Sequence, residues 1–243
     1  MIAWDDEAIV LAAQPHGEDA AVVHVLTREH GKHAGLARGA QGKRNRATYQ
    51  PGTLVHATWR ARLPEHLGTL TCEPVETPLA GLMDAPRRLT ALAAAMAVAD
   101  AALPEREAYP RVFAGTRALV RELAGEAWAE AYVHWERELL GVLGFGLDLS
   151  RCAGGGDGPL IHVSPRTGRA VSETAGAPYA DRLLPLPGFL VGRPDPDPAA
   201  AVAGGLHLTG YFLHRHVFDP AGLAVPPVRE RLAASLRRAA GDA

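Results

Sequence analysis

Five short β-branched runs, separated by Gly, Pro and charged turns, fill the first eighty residues, and no helical period lies between them. They are Ile2–Ala12, Ala20–Thr27, Lys32–Ala37, Thr53–Arg60 and Leu67–Cys72. So many strands in so short a span imply a small barrel or sandwich. After Pro86 the pattern changes. Leu89, Leu92, Met96 and Val98 sit in an Ala-rich stretch of high helix propensity, with Asp84 placed as its cap and Pro86 in its first turn. Two further helices are expected over about 111–123 and 128–143. The second carries Trp128, Tyr132, Trp135, Leu139 and Val142 at spacings of four and three, a stripe that buries one face.

Residues 150–200 read as irregular, because Gly154, Gly155, Gly156 and Gly158 do not hold a helix and prolines crowd 185–198. Two more helices close the chain. One spans about 199–218 and is interrupted by Gly204-Gly205; the other spans 227–240. The expected organisation is α+β and multidomain: a β-domain over 1–80 and a helical domain over 81–243, with a loop-rich insert at about 150–198.

The 47% hydrophobic content is enough for a packed core. Cys72 and Cys152 have no CxxC companion, which excludes a disulfide framework or a four-cysteine metal site. The acidic start Asp5-Asp6-Glu7 is unlike a signal peptide, and the longest apolar run, Ala91 to Ala99, is half the length of a membrane span. A soluble, cytoplasmic protein with no membrane contact is expected.

Charge is segregated. Residues 28–62 hold Arg28, Lys32, Arg38, Lys43, Arg44, Arg46, Arg60 and Arg62 against one acid, Glu29. That stretch carries +7 in a chain of net charge −2, although acids make up 27 of its 243 residues. Its centre, Gly39-Ala40-Gln41-Gly42-Lys43-Arg44-Asn45-Arg46, reads as a flexible polar loop between strands. There glycines permit close approach to a polyanion, and cations neutralise phosphates. An OB-fold barrel would give such a patch a use; Tyr49 and Trp59 could stack on bases, and Trp59 is equally open to the core.

No catalytic constellation is found. The Gly154–Gly158 stretch lacks the ending of a phosphate loop, and neither a nucleophile elbow nor a zinc-protease pattern occurs. His214 and His216 point to different helix faces, so together with His207 they make a poor metal site. The chain is expected not to be an enzyme and to need no cofactor.

The stretches Thr27-Arg28-Glu29-His30-Gly31-Lys32 and Leu36-Ala37-Arg38-Gly39-Ala40, followed by Lys43-Arg44, resemble the N-terminal region of the RecO family of recombination mediators. A second block, from Glu136-Arg137-Glu138-Leu139-Leu140-Gly141 through Leu143-Gly144-Phe145-Gly146 to Cys152, is similar to that family's hallmark helix, Leu-Gly turn and cysteine. The resemblance covers most of the chain in order. It implies an N-terminal OB-fold β-barrel followed by an α-helical domain. It also implies binding of single- and double-stranded DNA, annealing of complementary strands, partnership with RecR, and contact with the C-terminal tail of single-stranded-DNA-binding protein (SSB) so that RecA is loaded. A cytoplasmic, nucleoid-associated location goes with it. Many members carry a cysteine zinc site after the Cys152 block; here Cys152 stands alone, so a zinc-less, metal-free insert is expected. Val171, Tyr179, Leu183, Leu184 and Leu186 would hold it by packing.

From these readings Lys32, Arg38, Lys43, Arg44 and Arg46 are the expected phosphate contacts, supported by Arg28, Arg60 and Arg62. The SSB tail is acidic and ends in an apolar residue, so it needs an apolar groove rimmed by cations. Arg117 and Arg121, one helical turn apart, and Arg137 beside Trp135 are the candidates. The rival reading is a protein-only adaptor whose basic loop docks an acidic partner.

Overall fold

The computed structural model describes residues 1–241, save for the side chains of residues 79 and 80. The five expected runs are strands β1 (Ile2–His16), β2 (Ala20–Thr27), β3 (Lys32–Ala37), β4 (Leu54–Ala61) and β5 (Thr69–Glu76). They close into a barrel in the order β1-β2-β3-β5-β4. Period-two alternation drives this: Val23 and Val25 of β2, Val55, Ala57 and Trp59 of β4, and Leu70 of β5 all point into one core. β1 is long enough to serve two partners. Its first half pairs with β4 and its second half with β2, with a bulge between Val10 and Ala12 where it bends. β3 and β5 are parallel and share one registered pair, Leu36 with Thr69. The Trp59 indole reinforces that seam by donating to Ala34 O (3.1 Å) and Leu67 O (3.0 Å).

Two helices follow, α1 (Pro86–Ala102) and α2 (Pro110–Glu122). Asp84 does not cap α1: the N-cap is Ala85, with no side-chain cap, and Pro86 begins the first turn. Contacts divide the chain into one compact unit, Met1–Glu126, and a second from Ala127 onward. Both helices therefore belong with the barrel by contact, whereas the β-grammar of the sequence stops near residue 80.

The second unit is built on α3 (Trp128–Val142), α5 (Pro198–Leu213) and α6 (Pro227–Gly241), with a π-helical turn at His214–Phe218 after α5. The insert is more ordered than its composition suggests. β6 (Leu160–Val163), β7 (Ala170–Ser172) and β8 (Leu184–Pro185) make a three-stranded sheet in the order β7-β6-β8, and α4 (Glu173–Gly176) is one turn capped by Ser172. Val171, Leu184 and Leu186 are buried there and Leu183 partly so, but Tyr179 is exposed and holds nothing. The proline run ends productively: Asp197 caps α5 and Pro198 starts it. Gly204-Gly205 does not interrupt that helix. A Cβ on Gly205 would stand 2.8 Å from a Val133 methyl, so the glycine lets α3 and α5 touch.

Candidate nucleic-acid interface

Strand direction sorts the eight expected cations. β1, β3 and β5 run one way, β2 and β4 the other. The turns that precede β3 and β5 therefore lie at one end of the barrel. The β1–β2 turn and the long β3–β4 loop lie at the other. Arg38, Lys43, Arg44 and Arg46 all sit on that loop. Arg28 sits on the β2–β3 turn, Lys32 opens β3, and Arg62 follows β4 toward the first end. Arg60 lies on the outer face of β4. Six residues of β3 separate the two ends, roughly 20 Å of extended chain. The eight do not form one patch, which corrects the single-patch expectation.

Lys32 has a structural partner. Its ammonium donates to the Asp100 carbonyl of α1 (2.5 Å) and lies 3.9 Å from the Asp100 carboxylate. Its side chain is only 13% exposed, so Lys32 fastens α1 to the barrel and is withdrawn from the expected phosphate contacts. His24 joins it, with Nδ1 2.7 Å from Asp100 Oδ1, and that hydrogen bond raises the imidazole's pKa. Asp100 is the residue that charge counting missed. A lone acid late in an Ala-rich helix was its one trace in the sequence.

The β3–β4 loop is different. Ala40, Thr48 and Tyr49 are buried and anchor it at both ends, while residues 43–47 between them are exposed. It is also less flexible than its glycines suggest. Gly42 N donates to Gly39 O (3.2 Å), Asn45 and Arg46 N to Gly42 O (3.0 Å each), and Asn45 Nδ2 to Gly39 O (3.0 Å). Gln41 N ties the loop to Asp19 O (3.2 Å) across the same barrel end. The Asp19 carboxylate of the β1–β2 turn lies beside Gly39, 3.9 Å from where a Cβ there would stand. Among the described residues no carboxylate lies within ion-pair distance of Arg38, Lys43, Arg44 or Arg46. Four cations on a self-bonded loop, free of internal partners, can take external anions.

Beneath the loop lies a pocket of about 140 Å³, open to solvent. Ala13, Ala21 and Ala40 contribute methyl groups, and Gln41, Arg46 and Gln50 contribute polar ones. Tyr49 touches it from the core side. Its ring and that of Trp59 are buried, so neither has a face to offer a base: Trp59 is a core residue, and the expectation that Tyr49 stacks on bases is corrected.

The residues expected to receive an acidic tail do not assemble as a set. Arg117 pairs with Glu7 (3.4 Å) and Arg121 with Glu76 (3.0 Å). The hydrogen bond from Arg121 holds the Glu76 carboxyl below its ordinary pKa. Ile9, Leu54 and Val120, all buried, line only a shallow dent beside Glu76, Arg117 and Arg121. Trp135 and Arg137 belong to the other compact unit. Trp135 is buried there, and Arg137 donates to Leu190 O (3.4 Å) and lies 3.7 Å from Glu138.

In the second unit Glu136 and Arg229 form a buried pair across α3 and α6. Arg229 Nε donates to Glu136 Oε1 (3.1 Å) and Nη2 to Oε2 (2.9 Å). Thr209 of α5 donates its hydroxyl to the same carboxylate. Burial works against the guanidinium's charge, but Glu136 more than offsets this and keeps the pKa raised. The two residues are 93 apart in sequence, and no local signal links them.

Among the described residues no group of three or more His, Cys, Asp and Glu side chains could hold a metal. His216 is stacked between Phe145 and Phe212, and His207 and His214 are exposed. No helix among the described residues is long and apolar enough to cross a membrane. Cys152 accepts a hydrogen bond from Ser172 N (3.2 Å) and donates to Ser172 Oγ (3.4 Å).

Residues 1–78 match the family model described as recombination protein O N terminal, and residues 83–222 the one described as recombination protein O C terminal. The chain is 52% identical over 246 residues to the DNA repair protein RecO of Rhodospirillum rubrum, covering 98% of each chain. It is 53% identical over 239 residues to that of Rhodospirillum centenum, covering 97% of this chain and 95% of the relative. With the RecO of Gluconacetobacter diazotrophicus it shares 47% over 236 residues, covering 94% and 93%.

Proposed function

The chain belongs to the RecO family of DNA repair and recombination proteins, and we propose that it works by holding DNA strands on the β3–β4 loop of its OB-fold barrel. The observation that carries this reading is the set of four exposed cations, Arg38, Lys43, Arg44 and Arg46, with no carboxylate partner among the described residues. Single- and double-stranded DNA share the phosphates these cations would neutralise, so both are ligands. Arg28, Arg60 and Arg62 extend the contact along the barrel, outside the loop.

Annealing needs no bond to be made or broken, so the protein acts as a mediator and not an enzyme. Two strands repel each other, and a surface that screens this repulsion while leaving base edges free raises their encounter rate. The acidic SSB tail would lie over the surface of Arg117 and Arg121, its carboxylates replacing Glu7 and Glu76 as their partners. With RecR as partner, the protein would act on SSB-coated DNA where RecA is to be loaded.

The test is annealing of complementary strands on SSB-coated DNA, comparing wild type with the Lys43→Ala/Arg44→Ala/Arg46→Ala variant. Wild type is expected to speed pairing, and the variant to lose most of that acceleration. Equal rates would remove the loop from the mechanism.

A further inference from the structure

We infer that the pocket beneath the β3–β4 loop receives one unpaired nucleobase of a single strand whose phosphates lie on the loop; this rests on the loop reading and deepens it. The exposed loop cations already serve the phosphates and leave the pocket to another part of the strand. This pocket offers methyl groups from Ala13, Ala21 and Ala40 on part of its wall, and a flat heterocycle suits such a wall.

The polar groups fit a base edge. Gln41 Nε2 donates to Ala20 O (3.4 Å) and Gln50 Nε2 to Arg46 O (3.3 Å). These bonds fix both amides in place, and each side-chain carbonyl remains an acceptor for an exocyclic amino group. Arg46 supplies the complementary donors, and it also stands among the loop cations, so one side chain joins the base pocket to the phosphate track. A base paired in a duplex presents neither its Watson–Crick edge nor its face. The pocket therefore separates single strands from duplexes, which the loop cations alone do not.

The experiment is polarisation of a labelled single strand and of the same-length strand made abasic, which keeps every phosphate and removes the bases. Wild type is expected to bind the intact strand about ten-fold tighter than the abasic one, the order of free energy one accommodated base supplies. Ala13→Leu fills the pocket and should bring that ratio to about one, with duplex affinity and salt dependence unchanged. Gln50→Ala, at the solvent edge, should reduce the ratio and gives the same readout if Ala13→Leu does not fold. A ratio near one in wild type overturns the pocket; if the salt dependence is then normal, the loop reading survives. A ratio that persists in both variants also overturns it, because the base is then read elsewhere. If wild type binds neither strand, the loop reading fails and the pocket with it.

Discussion

Arg46 on the β3–β4 loop and Arg229 in α6 carry the same guanidinium into opposite surroundings. Arg46 and its three neighbours are exposed, and no carboxylate in the described chain answers them. Arg229 is 4% exposed and makes two hydrogen bonds to a fully buried Glu136, with Thr209 on the same carboxylate. A cation enclosed with its counter-charge works for the fold, because removing either partner strands the other in a medium that cannot solvate it. A solvated cation contributes little to stability and stays available to a polyanion. Lys32 is the intermediate case. It lies within the basic stretch of sequence, yet it is held by Asp100.

The strongest way to break this contrast is at Glu136. Glu136→Ala should cost about 3–5 kcal/mol of stability in a urea melt, since it leaves Arg229 buried without a partner. Variant protein that remains folded should bind DNA as wild type does. The loop should behave the other way round. Lys43→Ala/Arg44→Ala/Arg46→Ala should shift stability by less than about 0.5 kcal/mol. Its single-strand affinity at 0.1 M salt should fall about a hundred-fold, which follows if three contacts each contribute roughly 0.7 to the salt exponent.

A smaller effect sharpens the enclosed side. A Cβ on Gly210 of α5 would stand 2.4–2.7 Å from the Arg229 guanidinium. Gly210→Ala gains about 1 kcal/mol in helix propensity but overpacks the site by about 1–3 kcal/mol, so a net loss of about 1 kcal/mol is expected by thermal melt. The smallest concerns the intermediate case. Asp100 raises the His24 pKa above its unfolded value through their hydrogen bond. Its contribution is therefore complete below the unfolded value near 6.5 and fades as pH rises through the folded one. Wild type should lose a little stability between pH 6 and pH 8, whereas Asp100→Asn should lose less over the same range.

The barrel was legible because alternation survives through β2, β3 and β4, in runs such as Ala21-Val23-Val25 and Val55-Ala57-Trp59. The far end of β1 was not. Gln14, Pro15 and His16 lie beyond the expected strand, yet they continue the pairing with β2 that begins at Ala8 and runs on past the bulge. The insert's sheet was hidden for a related reason: strands of two to four residues have no period to detect. Charge density pointed to the β3–β4 loop, whose cations are exposed, but a linear count cannot distribute charges in space. Reversal of direction between β2 and β3 sends Arg28 and Arg38 to opposite ends of one hairpin. Only the fold shows that Asp100 answers Lys32. Glu136 and Arg229 were beyond sequence reading for the same reason, since each looks like an ordinary helical surface charge.

The most direct test is the salt dependence of single-strand binding, measured by polarisation side by side for wild type and the loop triple variant. If the loop neutralises four phosphates and the variant keeps one of these contacts, the slope of log K against log[salt] should be shallower by about 2 in the variant than in wild type. Parallel lines of equal slope and affinity would mean that these unpartnered cations do not hold the DNA.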